Sequence, residues 1–168
     1  MIRVWVTGES SSFGEAFEKY LSSSKELEFA NSPKNEDLDY FRSKFMGRKE
    51  IDCFDPTLPN LIARSGSDII LFTIPLSGKV ADQYPDVALR RNIEGLYRIL
   101  QAAQEINIPL VWVKVDRDKS VYGRASSDAI KHLVEESPFA YTFESIPQND
   151  DDFPNLERRI LKIINNET

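Results

Sequence analysis

The chain has 168 residues, enough for one domain with a hydrophobic core of its own, and hydrophobic residues at 41% beside charged residues at 29% place it among folded globular proteins. Its 21 Lys and Arg against 27 Asp and Glu give a net charge of -6, which argues against a nucleic-acid partner because neutralising phosphates takes a surplus of bases. A single cysteine, Cys53, excludes an internal disulfide. No apolar run suits a bilayer span or a signal peptide, so no membrane partner and a cytoplasmic location are expected.

Ile2 to Val6 reads as a first strand. It runs through Thr7 and Gly8 into a segment around Gly14 in which Phe13, Ala16, Phe17, Tyr20 and Leu21 fall at helical spacing. Such a strand–loop–helix junction aims backbone N–H groups and the positive end of a helix dipole at one point, which suits a pyrophosphate. Gly8 would allow the tight turn and Gly14 the close approach of helix to sheet. An ordinary polar loop fits the same spacing equally well.

Leu27 to Ala30 gives a second strand, Leu38, Phe41 and Phe45 a second helix, and Glu50 to Phe54 a third strand. Leu58, Leu61 and Ile62 mark a short helix stopped by Gly66. The fourth and fifth strands, Asp68 to Ile74 and Leu110 to Val115, are almost continuously apolar, as strands covered on both faces should be. Between them a helix starts after Pro85, carries Leu89, Ile93, Leu96, Leu100 and Ala103 on one stripe, and ends at Asn107 ahead of Pro109. Ile130, Leu133 and Val134 form a helix before Pro138, and a weaker sixth strand spans Ala140 to Phe143. Asp152 caps a terminal helix with Pro154 in its first turn and Leu156, Ile160, Ile163 and Ile164 inward.

Alternating strands and helices predict an α/β fold over residues 1–168, with about six parallel strands, helices on both faces, and no separate substrate lobe. No metal site is expected. The one histidine, His132, lacks partners at ligand spacing, and Asp150 to Asp152 reads as the charged start of the last helix.

From Ile2 to about Gly123 the order of motifs resembles the extended short-chain dehydrogenase/reductase family, the sugar-nucleotide epimerases and dehydratases. The family's opening Thr-Gly-x-x-Gly-x-x-Gly loop corresponds to Thr7-Gly8-Glu9-Ser10-Ser11-Ser12-Phe13-Gly14, with Ser11 in place of the middle glycine. Its adenine-facing Asp-Leu-x-Asp corresponds to Asp52-Cys53-Phe54-Asp55. Its Asn-Val-x-Gly-Thr-x-Asn-Leu-Leu-x-Ala-Ala helix is similar to Asn92 through Ala103, and its Val-Tyr-Gly to Val121-Tyr122-Gly123. The resemblance implies a Rossmann-like, doubly wound sheet in the order 3-2-1-4-5-6. It also implies dinucleotide contacts at Gly8, Ser10, Ser11, Ser12, Phe13, Gly14, Asp52, Cys53, Thr73, Ile74, Pro75, Asn92 and Val115. Where the family carries an acidic residue for the ribose of NAD, this chain has Asn31, Ser32 and Lys34, which favours NADP over NAD.

The family's catalytic groups are not matched. Its serine pair is replaced by Arg117 and Asp118, and its Tyr-x-x-x-Lys is absent: Tyr122 is followed four residues on by Ser126, and Tyr141 by Ser145. Asp118, Tyr122 and Tyr141 are the remaining catalytic candidates. The expected function is therefore dinucleotide binding in a binding or regulatory protein degenerate in catalysis. A compact NAD(P)-dependent oxidoreductase or epimerase with a non-standard site is the first alternative, and an interaction module without cofactor the second. The 86–106 helix is the expected surface of a homodimer.

Overall fold

Successive side chains of a strand face opposite sides of a sheet, and this sequence fills both sides with apolar groups. A computed structural model describes residues 1–7, 12–30, 56–73, 78–115, 120–145 and 152–166. Among them five strands, β1 (Ile2–Thr7), β2 (Leu27–Phe29), β3 (Ile69–Phe72), β4 (Leu110–Val115) and β5 (Ala140–Ser145), form one sheet in the order β2-β1-β3-β4-β5. Every neighbouring pair is parallel, with Trp5 opposite Ile70, Ile70 opposite Leu110, and Leu110 opposite Ala140.

Those strands are the expected first, second, fourth, fifth and sixth, in the expected relative order. The third strand at 50–54 and the helix around Leu38 to Phe45 lie outside the described residues. Seven α-helices are described: α1 (Ser12–Leu21), α2 (Leu58–Ser65), α3 (Gly78–Gln83), α4 (Pro85–Leu89), α5 (Gly95–Ile106), α6 (Val121–Glu135) and α7 (Asp152–Ile164). A π-helical turn, Arg90–Glu94, joins α4 to α5. None is long and apolar enough to cross a membrane.

One face of the sheet presents Val4, Val6, Ile69, Leu71, Val111 and Val113 to α1 and α7, whose Phe17, Leu21, Leu156 and Ile160 are buried there. The other presents Trp5, Ile70, Phe72, Leu110 and Trp112 to α2, α5 and α6. Strands covered on both sides need no polar alternation, which is why β3 is Ile-Ile-Leu-Phe with all four residues buried. The fold is thus the doubly wound, Rossmann-like α/β sheet with helices on both faces.

Three details differ from the sequence reading. In α1, Ala16 is exposed while Gly14 is buried, so the inward stripe runs through Gly14, Phe17 and Leu21. The stripe ahead of Leu96 also shifts: Ala88 and Asn92 are fully buried, whereas Leu89 and Ile93 are only partly covered. The π turn accounts for this, because its wider winding keeps residues four apart on one face where an α-helix would drift. Finally, β3 starts one residue late because Asp68 turns its carboxylate to the Arg3 backbone N–H, 2.8 Å away. Helix stops fall where expected, with Gly66 (φ 65°) and Asn107 (φ 56°) both in the left-handed region that ends a helix.

Candidate functional site

In an open parallel sheet a crevice opens at the carboxyl ends of two adjacent strands whose following helices lie on opposite faces. Here those strands are β1 and β3, since α1 packs on one face while α5 packs on the other. Two threonines fasten the strand ends together. Thr7 donates its hydroxyl to the Leu71 carbonyl at 3.2 Å, and Thr73 donates to the Thr7 carbonyl at 2.8 Å. Thr73 is only 4% exposed, so this expected cofactor residue forms the floor of the crevice, with its proton committed to the backbone.

Gly8, Ser10 and Ser11 lie outside the described residues, but both ends of their loop are fixed. β1 ends at Thr7, and α1 begins at Ser12. Gly14 is buried within the first turn of α1, as close packing of a helix against a sheet requires. Phe13 is partly buried and packs among aromatic rings, its own lying 6.0 Å from that of Phe17 and 5.6 Å from that of Phe153 in α7. The chain leaves β2 at the same end of the sheet, where the Ala30 N–H bonds the Val4 carbonyl at 2.9 Å. Asn31, Ser32, Lys34, Asp52, Cys53, Ile74, Pro75 and Asp118 lie outside the described residues. Val115 is the last residue of β4.

A polar link joins the π turn to α6. Asn92, fully buried, donates from Nδ2 to Ser126 Oγ at 3.2 Å, and Ser126 Oγ donates to the Tyr122 carbonyl at 2.8 Å. π turns within helices are frequent at functional sites. Tyr122 is the second residue of α6 and 37% exposed. Its backbone N–H faces Asp82 Oδ1 of α3 at 3.4 Å, which places a carboxylate at the positive end of α6.

Tyr141 is not part of this group. It pairs with Val111 near the start of β4, toward the amino ends of the strands, with the Arg159 guanidinium 6.0 Å from its ring centre. Asn92 and Tyr122 are brought to one region by the fold, and Tyr141 is held away from them. By sequence Ser126 is only the residue standing where the family's lysine would be. Its position four residues after Tyr122 on a helix is the available sign of its role, because residues at that spacing share a face. Among the described residues no three His, Cys, Asp or Glu side chains gather as metal ligands.

No family model matches the sequence, and neither does any curated protein. Solved structures do resemble it. L-threonine dehydrogenase from Phytophthora infestans superposes with a TM-score of 0.63 at 15% identity, over 96% of this chain and 61% of that one. The dTDP-4-dehydrorhamnose reductase from Clostridium acetobutylicum gives 0.60 at 15% identity, over 99% and 71%. UDP-glucose 4-epimerase from Brucella ovis, solved in complex with NAD, gives 0.59 at 14% identity, over 86% and 51%. The likeness is one of fold. The chain spans between about half and seven tenths of the length of these proteins.

Proposed function

We propose that this protein holds a nicotinamide dinucleotide at the carboxyl ends of β1 and β3, as a binding or regulatory protein related to the NAD(P)-dependent sugar-nucleotide epimerases and dehydratases. The observation that carries this reading is the junction itself: a fastened pair of strand ends, a glycine buried in the first turn of α1, and crossovers that diverge to opposite faces. A side chain on residue 14 would press against the sheet, so Gly14 fits the close packing that a pyrophosphate-binding helix needs. The bound dinucleotide would supply hydride chemistry; the chain's own part is to orient it and exclude water.

What this chain lacks is a lysine four residues after Tyr122. Tyr122 has Ser126 there, and that serine is bonded to Asn92. A neutral hydroxyl cannot lower the pKa of a phenol as an ammonium does, which favours binding without the usual proton transfer. The buried Asn92–Ser126 pair also supports a second reading, a compact oxidoreductase in which these groups hold Tyr122 in place. Tyr84, Val87, Tyr97, Val121 and Tyr122 leave apolar surface exposed on and beside α4, α5 and α6, which supports a homodimer through residues 86–106.

Titration of the full chain with NADPH, NADH and ADP-ribose tests the reading. Saturable binding of NADPH, weakened roughly tenfold by Lys34→Ala while NADH is unaffected, is the expected result, since a charge-assisted contact contributes about 1.5–3 kcal/mol. Failure of all three nucleotides to bind would leave an interaction module. Turnover of a carbonyl or sugar-nucleotide substrate would move the protein to the second reading.

A further inference from the structure

α1 and α7 cover the same face of the sheet, and in the chain each comes next after a strand, α1 after β1 and α7 after β5. Their first turns meet. Phe13 of α1 and Phe153 of α7 stand edge to face with ring centres 5.6 Å apart. Phe153 also lies 5.6 Å from Phe17 and 5.5 Å from Tyr20, so one side chain of α7 spans the whole row of rings along α1. Phe13, Phe17 and Tyr20 form that row because residues four and three apart share a helix face, and their rings stack at 6.0 Å intervals.

α7 has other anchors. Leu156 and Ile160 are fully buried against the sheet, while Tyr20 and Ser24 both donate to the Glu157 carboxylate. Phe153, only partly buried, lies at the edge of that core. The first turn of α1 is placed differently. Gly14 brings it close to the sheet but has no side chain to grip with, and Phe13 carries the ring contacts, one with Phe17 and one with Phe153. The contact with Phe17 lies within α1, so of these two only the contact with Phe153 ties the turn to another element.

We propose that Phe153 is a positioning residue for the dinucleotide: through Phe13 it holds the first turn of α1 in the direction in which that turn meets the pyrophosphate, without itself touching the ligand. This rests on the reading of the crevice above β1 and β3 as a dinucleotide site. Bonds from backbone N–H groups to an anion depend steeply on direction, so the pyrophosphate is the part of the ligand that responds to Phe153. The adenosine end, assigned to the chain beyond β2, does not.

The test compares Phe153→Ala with the unmutated full chain in two measurements. The first is amide hydrogen exchange without ligand. The N–H groups of Ala16 and Phe17 close the first turn of α1 by bonding four residues back, so both should exchange faster in the variant, while Leu161 to Ile164 of α7 stay protected. The second is titration with ADP-ribose, which carries a pyrophosphate, and with adenosine 2′-phosphate, which does not. ADP-ribose should bind roughly tenfold more weakly, as loss of an aromatic pair implies, and adenosine 2′-phosphate within about twofold of its original affinity. Phe153→Tyr keeps the ring and should bind as the unmutated chain does. Phe13→Ala together with Phe153→Ala should bind ADP-ribose no more weakly than the weaker single variant, since both remove one contact. Should Phe153→Ala fail to fold, Phe153→Leu keeps apolar bulk without the ring and should show the same pattern with a change of roughly threefold. Unchanged exchange at Ala16 and Phe17, equal weakening of both nucleotides, or additive effects of the two substitutions would overturn the proposal. Failure of the unmutated chain to bind ADP-ribose would overturn the dinucleotide reading itself, and the exchange rates, which need no ligand, tell that outcome from failure of the Phe13–Phe153 contact to hold the turn.

Discussion

The two ends of the β1–β3 ladder solve the same problem in different ways. At the amino end the groups are charged: Arg3 is 8% exposed, its Nε donates to the Ser65 carbonyl at 2.9 Å, its Nη1 meets Glu28 Oε1 at 2.6 Å, and its backbone N–H meets Asp68. At the carboxyl end the fastening is neutral, a threonine hydroxyl on each strand and the Asn92–Ser126 pair nearby. A charge cluster closes the amino end and satisfies its donors within the protein. The neutral end carries no charge among these groups, and the acidic residue nearest to it in α1 is Glu15 of the first turn. On the proposed reading, stability and binding are carried by opposite ends of the same strands.

Arg3→Ala should break that division most visibly. It removes one partner of a mostly buried ion pair and leaves the Ser65 carbonyl without this donor, so urea denaturation should show a loss of about 2–3 kcal/mol, below the full cost of a buried pair because Glu28 is partly exposed. Dinucleotide affinity of the folded fraction should stay unchanged. A large loss of affinity at matched stability would mean that the two ends are coupled.

Thr73→Val sharpens the same contrast from the other end with a smaller effect. The shape is kept and one hydrogen bond is lost, which should cost about 1 kcal/mol in the same denaturation experiment. Because the lost bond holds the last carbonyl of β1, where the loop to α1 begins, nucleotide binding should weaken several-fold. Unchanged binding would show that the loop's position does not depend on this clip.

The fold was legible because both-face burial leaves a distinct trace: Ile69 to Phe72 and Leu110 to Val113 have few polar interruptions, and no solvated strand would tolerate them. Helix stops were legible at Gly66 and Asn107 for the reason that few residues accept positive φ. The π turn was not legible, since Leu89 and Ile93 fit an α-helical stripe by composition and only packing shows that Asn92 took the inward place. In the site, the Val-Tyr-Gly resemblance led to Tyr122, while the bond between Asn92 and Ser126 joins residues 34 apart and leaves no local pattern. Tyr141 shows the converse. Its sequence position suggested catalysis, but parallel register with Val111 sets it near the amino end.

The smallest expected effect concerns the seam between α1 and α7, where Tyr20 donates its phenol proton to Glu157 and Ser24 donates to the other oxygen of that carboxylate at 2.8 Å. Burial, then the hydrogen bond and the negative charge of Glu157, push the Tyr20 pKa from 10.0 up to about 12. The neutral phenol is therefore favoured by the folded state. Its contribution to stability is complete below pH 10, falls as pH rises because the unfolded chain gains by ionising first, and is gone once pH passes about 12. Tyr20→Phe keeps the ring that packs on Phe17 and Phe153 at 6.0 and 5.5 Å, so it should lower stability only slightly at neutral pH. Thermal melts from pH 8 to 11 should then fall less steeply for the variant than for the unmodified protein. Parallel melting curves would show that Tyr20 ionises no later in the folded chain than in the unfolded one, and that its bond to Glu157 adds nothing to the α1–α7 seam.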